Sequence, residues 1–361
     1  MIIPIINNMT AKNLFLLLFC SFIFSPITAQ PITKLEPGRT PEGAVYYLPK
    51  TAIRINLLVE KKTYQPGTYA KYAEQYLRLN NVELERQTTY RIVDYAITSI
   101  GMRDTAKCYA VKLKGGKCET AELRFSDDGV LQAVNDEPLA PIVRKPFRSA
   151  AKAATEDPRK YLNADVLKAT NMARQAELIA AQMGELQEGR QQLITGEADE
   201  MPEDEQQLHR MLREIDTERE ALMSLFTGMV TRDTTEHTLT ICPEKPVDHE
   251  VLFRLSGKRG LVDKDDLSGI PFYMTIENLY PAEHPTPENK KQEGFYVNKP
   301  GMARITLLQE ERQLADYELP LAQFGFVELL DGSLFKKYVT HMRLNPATGA
   351  VDTLKAENEK K

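Results

Sequence analysis

Residues 192–208 read QLITGEADEMPEDEQQL, and this stretch decides the predicted fold because it joins two segments with helical periodicity. In the first segment, small and apolar residues recur at spacings of three and four, as in an amphipathic helix. They are Val166, Ala169, Ala173, Ala176, Ala180 and Met183. In the second segment an apolar stripe follows a heptad-like register. It consists of Leu208, Met211, Ile215, Leu222, Leu225 and Met229.

The junction itself carries stop and start signals for helices. Gly196 can adopt the left-handed conformation that ends many helices, and Pro202 suits the first turn of the next one. The acidic residues 203–205 are favourable at the positive end of that second helix. Two helices of about 48 and 39 Å, joined by a short acidic loop, are therefore predicted to pair as an antiparallel hairpin.

The segments on both sides of the hairpin favour strands instead. Residues 52–60 alternate, which places Ile53, Ile55, Leu57 and Val59 on one face of a strand. Residues 126–129 predict a hairpin turn, and residues 310–311 are expected to join another pair of strands. The predicted fold is α+β, with strand-rich N- and C-terminal β units and an inserted long antiparallel helical hairpin. The expected divisions are a signal peptide at 1–29, an N-terminal β-rich domain at 30–150, the helical hairpin at 151–230 and a C-terminal β-rich domain at 231–361.

The N-terminal segment is typical of a secretory signal. Lys12 precedes an apolar run at residues 14–24, and the small residue Ala29 follows a few positions later. The apolar run is shorter than the about 20 residues that a membrane span needs, although an N-terminal anchor is the alternative. We expect cleavage after Ala29, an exported product and no integral membrane span after cleavage.

The net charge and the cysteine content argue against two classes, nucleic-acid-binding proteins and proteins held together by disulfides. A net charge of −5 gives no general attraction to nucleic acid, which usually requires a basic excess. Export permits disulfides, but Cys108 and Cys118 are expected to lie too far out of register for a bridge. With Cys242 the mature chain holds an odd number of cysteines, so no disulfide framework is predicted.

No arrangement of residues predicts a catalytic site, a metal site or a cofactor. The histidines lack the spacing of shared metal ligands; they are His209, His237, His249, His284 and His341. The best candidate for a binding loop is GKRGLVDKDDLSG at 257–269. Asp263 and Asp265 fit the start of a calcium loop, but Leu267 occupies the next ligand position. A solvated connection between strands is the favoured interpretation of this loop.

Three tyrosines at helical spacing, Tyr69, Tyr72 and Tyr76, leave two interpretations open. They could form a sugar-binding platform, or a short helix could bury its aromatic face on a sheet. The second interpretation is favoured.

Several segments together resemble the exported Bacteroidota-type family known as domain of unknown function 4831. They are YYLPKTAIRINLLVEKKTYQPGTYAKYAEQYL at 46–77, the two helix ends LITGEAD and LFTG, LVDKDDLSGIP at 261–271, and LPLAQFGFVELL through LNPATGAV at 319–351. The resemblance implies a strand-rich exported protein with an inserted helical hairpin. It implies no activity and no catalytic residues.

We therefore expect a non-enzymatic binding or scaffold protein of the cell envelope, periplasmic or associated with the cell surface. The hairpin would contact an envelope protein, or a second copy of the chain, through residues 160–230. Alternatively the hairpin folds back to cover a sheet and contacts nothing else. Another alternative is a glycan-binding protein or glycan hydrolase. The hydrolase would need two carboxylates about 5–9 Å apart beside Tyr or Phe side chains.

Overall fold

The computed structural model describes residues 37–40, 43–112, 121–140, 143–148, 156–280 and 294–357. The predicted signal peptide at 1–29 lies outside the described residues, as do Cys118 and His284. Cys108 and Cys242 are free thiols. The described strands are β1 (Gly38–Thr40), β2 (Gly43–Gln65), β3 (Gln87–Lys112), β4 (Leu123–Phe125), β5 (Leu131–Val134), β6 (Met229–Ile241), β7 (Val247–Ser256), β8 (Gly260–Val262), β9 (Ile270–Asn278), β10 (Gly294–Gln309), β11 (Arg312–Asp331), β12 (Val339–Leu344) and β13 (Val351–Glu357).

These strands form three antiparallel sheets. The first sheet has the order β1-β2-β3, with β6 on β2 as well. The second sheet has the order β11-β10-β9-β7-β8, and the third has the order β13-β12-β5-β4. The described helices are α1 (Ala73–Leu77), α2 (Ala164–Lys168), α3 (Met172–Thr195), α4 (Glu205–Thr227) and α5 (Gly332–Lys337), with 3-10 turns at Ala70–Tyr72 and Pro158–Tyr161.

Strand β2 is the organising element of the sheets. It runs for 23 residues, contains the strand predicted at 52–60, and has a register shift at Tyr47/Pro49. Its predicted apolar face is confirmed, because Ile53, Ile55, Leu57 and Val59 are all buried in a core between the first and second sheets. Full burial of each such side chain stabilises the fold by about 1.5–3 kcal/mol.

The N-terminal half of β2 enters a second core. Ala44, Tyr46 and Leu48 pack there with residues of the third sheet and of β10, such as Met342 and Phe295. Burial raises the pKa of Tyr46, whose hydroxyl oxygen accepts a hydrogen bond of 2.7 Å from the backbone of Tyr296. One strand thus contributes to both β cores.

The strands before and after the hairpin share sheets. β6, which follows the hairpin, pairs with β2, and β12 pairs with β5. The described residues from Gly38 onward belong to one compact unit, and its sheets contain strands from both sides of the hairpin. Alternation along a strand indicates which face is buried, but it carries no information on which distant strand is the neighbour.

The hairpin differs from its prediction at two of its ends. The first long helix begins at Met172, because Ala169 is extended and Asn171 caps α3 by accepting a hydrogen bond from the Arg174 amide. The second begins at Glu205 after the N-cap Asp204, three residues beyond Pro202. It ends with the C-cap Gly228, the last residue of the predicted helix end LFTG, so Met229 of the predicted stripe lies on β6. At 24 and 23 residues, the helices are about 36 and 35 Å long.

The end of α3 follows the prediction. Gly196 has φ 76° and ψ 21°, and its amide donates to the Gln192 carbonyl. This is the left-handed cap that glycine adopts without a steric penalty.

Candidate functional site

Helices α3 and α4, residues 172–227, form what we call the arm. They run antiparallel, since Gln182 Nε2 donates to Glu218 Oε1 at 3.0 Å and, farther along, Arg190 Nε donates to Asp216 Oδ1 at 2.7 Å. The predicted pairing of two helices is therefore present, with shorter helices than expected.

The base of the arm contains a third core that has no strand in it. Its fully buried members are on both helices, and Tyr69 and Ala73 pack against them from the segment after β2. The arm residues of this core are Ala176, Ile179, Met183, Leu222, Leu225 and Phe226. The arm is therefore held at its base by short helices and turns, and this core does not lie on a sheet.

The tyrosines of the sequence pattern belong to this base. The Tyr69 ring lies 5.9 Å from that of Phe226, and its hydroxyl donates to Gln175 Oε1 at 3.0 Å. Tyr72 and Tyr76 are partly buried against the same core. The expectation that a sheet would cover this aromatic face is wrong, because the face packs on helices.

The chain enters and leaves the arm through close contacts. A Cβ on Gly67 would lie 2.2 Å from the Leu225 carbonyl oxygen, so only glycine allows this approach. The Tyr64 hydroxyl, at the end of β2, is 3.0 Å from the carbonyl oxygen of Thr227 and 2.7 Å from that of Glu83. These contacts attach the last turn of α4 to the end of β2.

Beyond Met183 the arm has no described contact of this kind. Residues 187–214 are absent from all three cores, and their hydrogen bonds and ion pairs within the described chain stay inside the arm. We call residues 187–214 the distal half. From Met183 to Thr195 the helix rises about 18 Å, so the distal half extends well past the base.

The distal half exposes apolar side chains. Ile194, Met201 and Met211 are 50%, 46% and 37% exposed. Residues 196–205, which are the joining loop and the first residue of α4, hold six acidic and no basic residues, all six exposed. They are Glu197, Asp199, Glu200, Glu203, Asp204 and Glu205. Exposed apolar side chains next to a strongly acidic loop are a suitable surface for contact with another macromolecule.

An open groove of about 560 Å³ lies where the base meets the end of β2. Leu79 and Val82 supply apolar surface, and three planar polar side chains, Arg78, Asn80 and Asn81, also line it. Arg78 has a φ of 58°, an uncommon conformation for a residue other than glycine. We call this the base groove.

The loop at 257–269 is arranged around an arginine. Arg254 Nε donates to the Lys264 carbonyl at 2.7 Å, and its Nη1 donates to the Gly269 carbonyl at 3.2 Å. In a calcium loop, backbone carbonyl oxygens bind the ion. Here the carbonyl oxygens accept hydrogen bonds from the Arg254 guanidinium instead. Asp263 and Asp265 are exposed, and the geometry is that of a connection between strands.

The other sequence candidates lie apart. His209 is 3.5 Å from Glu205 on the arm, His249 stacks on Tyr273, and His341 contacts the Asn135 carbonyl. Within the described residues, no three His, Cys, Asp or Glu side chains group as metal ligands. Hydrogen bonds from Ser268 and Ser333 lower the pKa values of the Asp266 and Asp331 carboxyl groups. A general acid of a hydrolase needs the opposite shift.

The chain was compared with known families and structures. The family described as Domain of unknown function (DUF4831) matches residues 42–352. The chain belongs to this family. The DUF4831 match includes β2, the whole arm and every later strand through β12, so the arm lies inside the family's domain. No curated protein and no solved structure was found to match the chain. Across the described helices of this DUF4831 protein, none is long and apolar enough to span a bilayer.

Proposed function

We propose that this DUF4831 protein is an exported, non-enzymatic binding protein of the cell envelope, and that the distal half of its arm docks on another protein. The observation that supports this is the apolar surface of Ile194, Met201 and Met211 on a part of the arm that contributes to no core. Exposed apolar side chains cost solvation free energy, and burial against a partner removes that cost.

The charge of the joining loop indicates the class of partner. Six carboxylates in residues 196–205 repel an acidic surface and attract a basic one. We therefore propose a partner with basic residues around an apolar pocket. Self-association through two arms is less favourable at this end, because it would bring the two acidic loops together unless the arms pack in opposite directions.

The test is a crosslinked pull-down of the tagged full chain from its native cell envelope. The variant Ile194→Ser/Met201→Ser/Met211→Ser removes the apolar surface. A matched control, Leu84→Ser/Val143→Ser/Leu267→Ser, removes three exposed apolar side chains elsewhere. The expected result is one partner retained by the control and lost by the arm variant. Equal recovery with both variants would contradict the proposal.

Two further measurements identify the partner class. Replacing Glu197, Asp199, Glu200 and Glu203 by glutamine should weaken capture and reduce its dependence on salt. Sedimentation equilibrium of the purified chain distinguishes a basic partner protein from a second copy of the chain. A dimer that the arm variant abolishes would indicate that the partner is a second copy.

The base groove supports a second candidate, the binding of a glycan. Arginine and asparagine side chains can hydrogen-bond to sugar hydroxyls, and Leu79 and Val82 offer apolar surface for a ring. Glycan-array binding of the intact chain, compared with an Asn80→Ala/Asn81→Ala variant, tests this. Binding that survives the double substitution would remove the base groove as the site.

A further inference from the structure

Strand β3 contains a wide bulge where it passes β10 of the second sheet. The register between β2 and β3 shifts there, so residues 104–107 of β3 lie opposite Leu48 alone. Bulges redirect side chains and are common beside functional sites. The side chains of Asp104 and Lys107 are only 17% and 23% exposed, and Lys107 extends to a residue of β10, Asn298. The bulge therefore brings a lysine of the first sheet into contact with a carboxamide of the second.

Asn298 is held with its carbonyl oxygen toward the lysine. The residue is 2% exposed, and its Nδ2 donates to the carbonyl oxygens of Pro49 and Thr348, both at 2.8 Å. Because those two hydrogen bonds use the amide nitrogen, Oδ1 is the atom that faces Lys107, whose Nζ lies 3.5 Å away. The carbonyl carbon Cγ is bonded to Oδ1, so a small rotation of the lysine side chain brings Nζ to it.

Asp104 is placed to accept a proton from the lysine. Its Oδ1 accepts a hydrogen bond of 3.0 Å from the Ala106 amide, and its Oδ2 lies 4.0 Å from Lys107 Nζ. Burial lowers the pKa of the Lys107 amine, although the Asp104 carboxylate acts in the opposite direction. A desolvated lysine loses its proton more readily, and the neutral amine is the nucleophilic form. An amine, a carboxylate and a carboxamide thus meet at one mostly buried point.

We propose that Lys107 and Asn298 condense into an intramolecular isopeptide bond, with Asp104 as the group that transfers the proton. The Nζ lone pair of the neutral amine forms a bond to Asn298 Cγ, and the Cγ–Nδ2 bond breaks. A proton of Nζ passes through the Asp104 carboxylate to Nδ2, which leaves as ammonia. The overall reaction converts one lysine ammonium and one carboxamide into one secondary amide and one ammonium ion, so it needs no oxidant, reductant or cofactor.

Three features of the site favour this reaction. Holding the amine and the carboxamide in contact makes the step intramolecular, which raises its rate by a large factor. The carbonyl groups of Pro49 and Thr348 accept hydrogen bonds from Nδ2, and they stabilise that nitrogen as it gains a proton. Burial of Asn298 keeps water, the competing nucleophile, away from Cγ.

The bond would join the first and second sheets through residues 191 positions apart in the sequence. Cys108 and Cys242 are free thiols, so the described residues hold no disulfide that does the same. A covalent link stabilises a fold mainly by restricting the unfolded chain. Unlike a disulfide, an amide link survives reducing conditions.

Mass spectrometry of the purified full chain tests the proposal. The expected mass is lower than that of the unlinked chain by one ammonia, and trypsin should release peptides 104–112 and 292–304 joined as one species. Lys107→Arg should restore the unlinked mass, allowing for the substitution. The matched control Lys299→Arg changes the lysine next to Asn298, which is 60% exposed, and should keep the joined peptides. Separate peptides from the unsubstituted chain after prolonged incubation would overturn the proposal.

A time course after a pulse of labelled synthesis tests the role of each residue. Asp104→Asn should slow formation of the joined peptides by about a hundredfold or more, as loss of a proton-transfer group does, and Lys299→Arg should leave the rate unchanged. Unfolding curves verify that each variant is folded. An equal rate in folded Asp104→Asn would exclude Asp104 as the proton carrier. Joined peptides that persist in Lys107→Arg would exclude Lys107 as the nucleophile.

Discussion

The base and the distal half of the arm contain the same two helices, yet they bury their apolar side chains differently. At the base, Ala176, Ile179, Leu222 and Phe226 are fully buried, because the segment around Tyr69 covers a third side of the helix pair. In the distal half the helices have only each other. Two helices bury only the narrow seam between them, so apolar side chains beside that seam stay exposed.

This difference means that the side chains that hold the arm in place are not the ones that it exposes. The base contains what the arm needs to stay attached to the β2–β6 end of the first sheet. The distal half keeps Leu193 buried but leaves Ile194 and Met211 open, and attachment of the arm does not require those two side chains. Substitutions at the two ends should therefore have different consequences.

The largest expected difference comes from truncating an apolar side chain at each end. Phe226→Ala should lower the free energy of unfolding by about 3–5 kcal/mol, because a large cavity remains in the third core. Met211→Ala should change it by less than about 0.5 kcal/mol, since the side chain is already exposed. Urea unfolding followed by circular dichroism measures both. Similar losses at the two positions would mean that the distal half is also packed.

Glycine substitutions provide a second comparison with opposite signs. Gly67→Ala should destabilise the base by about 1–3 kcal/mol, because the new Cβ would overlap the Leu225 carbonyl. Gly189→Ala should stabilise the distal half by roughly 0.5–1 kcal/mol, since nothing lies within 4 Å of its Cβ position. Thermal unfolding of both variants is the measurement. A destabilising Gly189→Ala would reveal a neighbour at that position.

The distal ion pair should contribute little. Arg190 and Asp216 are partly exposed, and such pairs stabilise a protein by about 0.2–1 kcal/mol. Arg190→Gln should therefore cost less than about 1 kcal/mol, and the difference from the unsubstituted chain should shrink in high salt. Urea titrations at low and high ionic strength check this. A larger loss that salt does not reduce would assign Arg190 to packing instead.

Within the arm, alkaline pH should act on the base and not on the distal half. Burial raises the pKa of Tyr69 above its ordinary value, which is about 10, so folding favours the neutral phenol. That contribution is complete below about pH 10 and is lost as the pH rises through the raised pKa. Residues 187–214 contain no tyrosine. Hydrogen exchange should therefore accelerate first at the base, and Tyr69→Phe should remove much of this dependence.

The sequence predicted the local structure well where one residue type decides it. The alternation of Ile53, Ile55 and Leu57 predicts their buried face correctly, and Gly196 predicts the end of α3. It predicted the helix starts less well. Asparagine and aspartate caps at Asn171 and Asp204 decide where α3 and α4 begin, whereas the first apolar stripe starts before Asn171 and Pro202 lies before Asp204.

Long-range partners could not be predicted in the same way. Shape complementarity between distant segments decides that β2 pairs with β6 in the first sheet. It also decides that Tyr69 packs on Phe226.

The position of the base has a consequence for how the chain folds. Gln65 pairs with Met229. The first sheet must therefore bring together residues that lie far apart in the sequence. The third core joins Tyr69, just after β2, to Phe226, just before β6. Helix pairing is a local and fast event; it brings the two ends of the arm together and so shortens the stretch of chain that must close before β6 meets β2.

The arm thus also shortens the effective separation between β2 and β6 along the chain. Replacing it by a flexible linker of equal length would leave the final pairing of β2 and β6 possible, at an entropic cost that grows only slowly with loop length. The search for that pairing would be slower, because contacts between distant residues limit folding rates. The helices of the arm would, during folding, help to set the register of the longest-range strand pair in the first sheet.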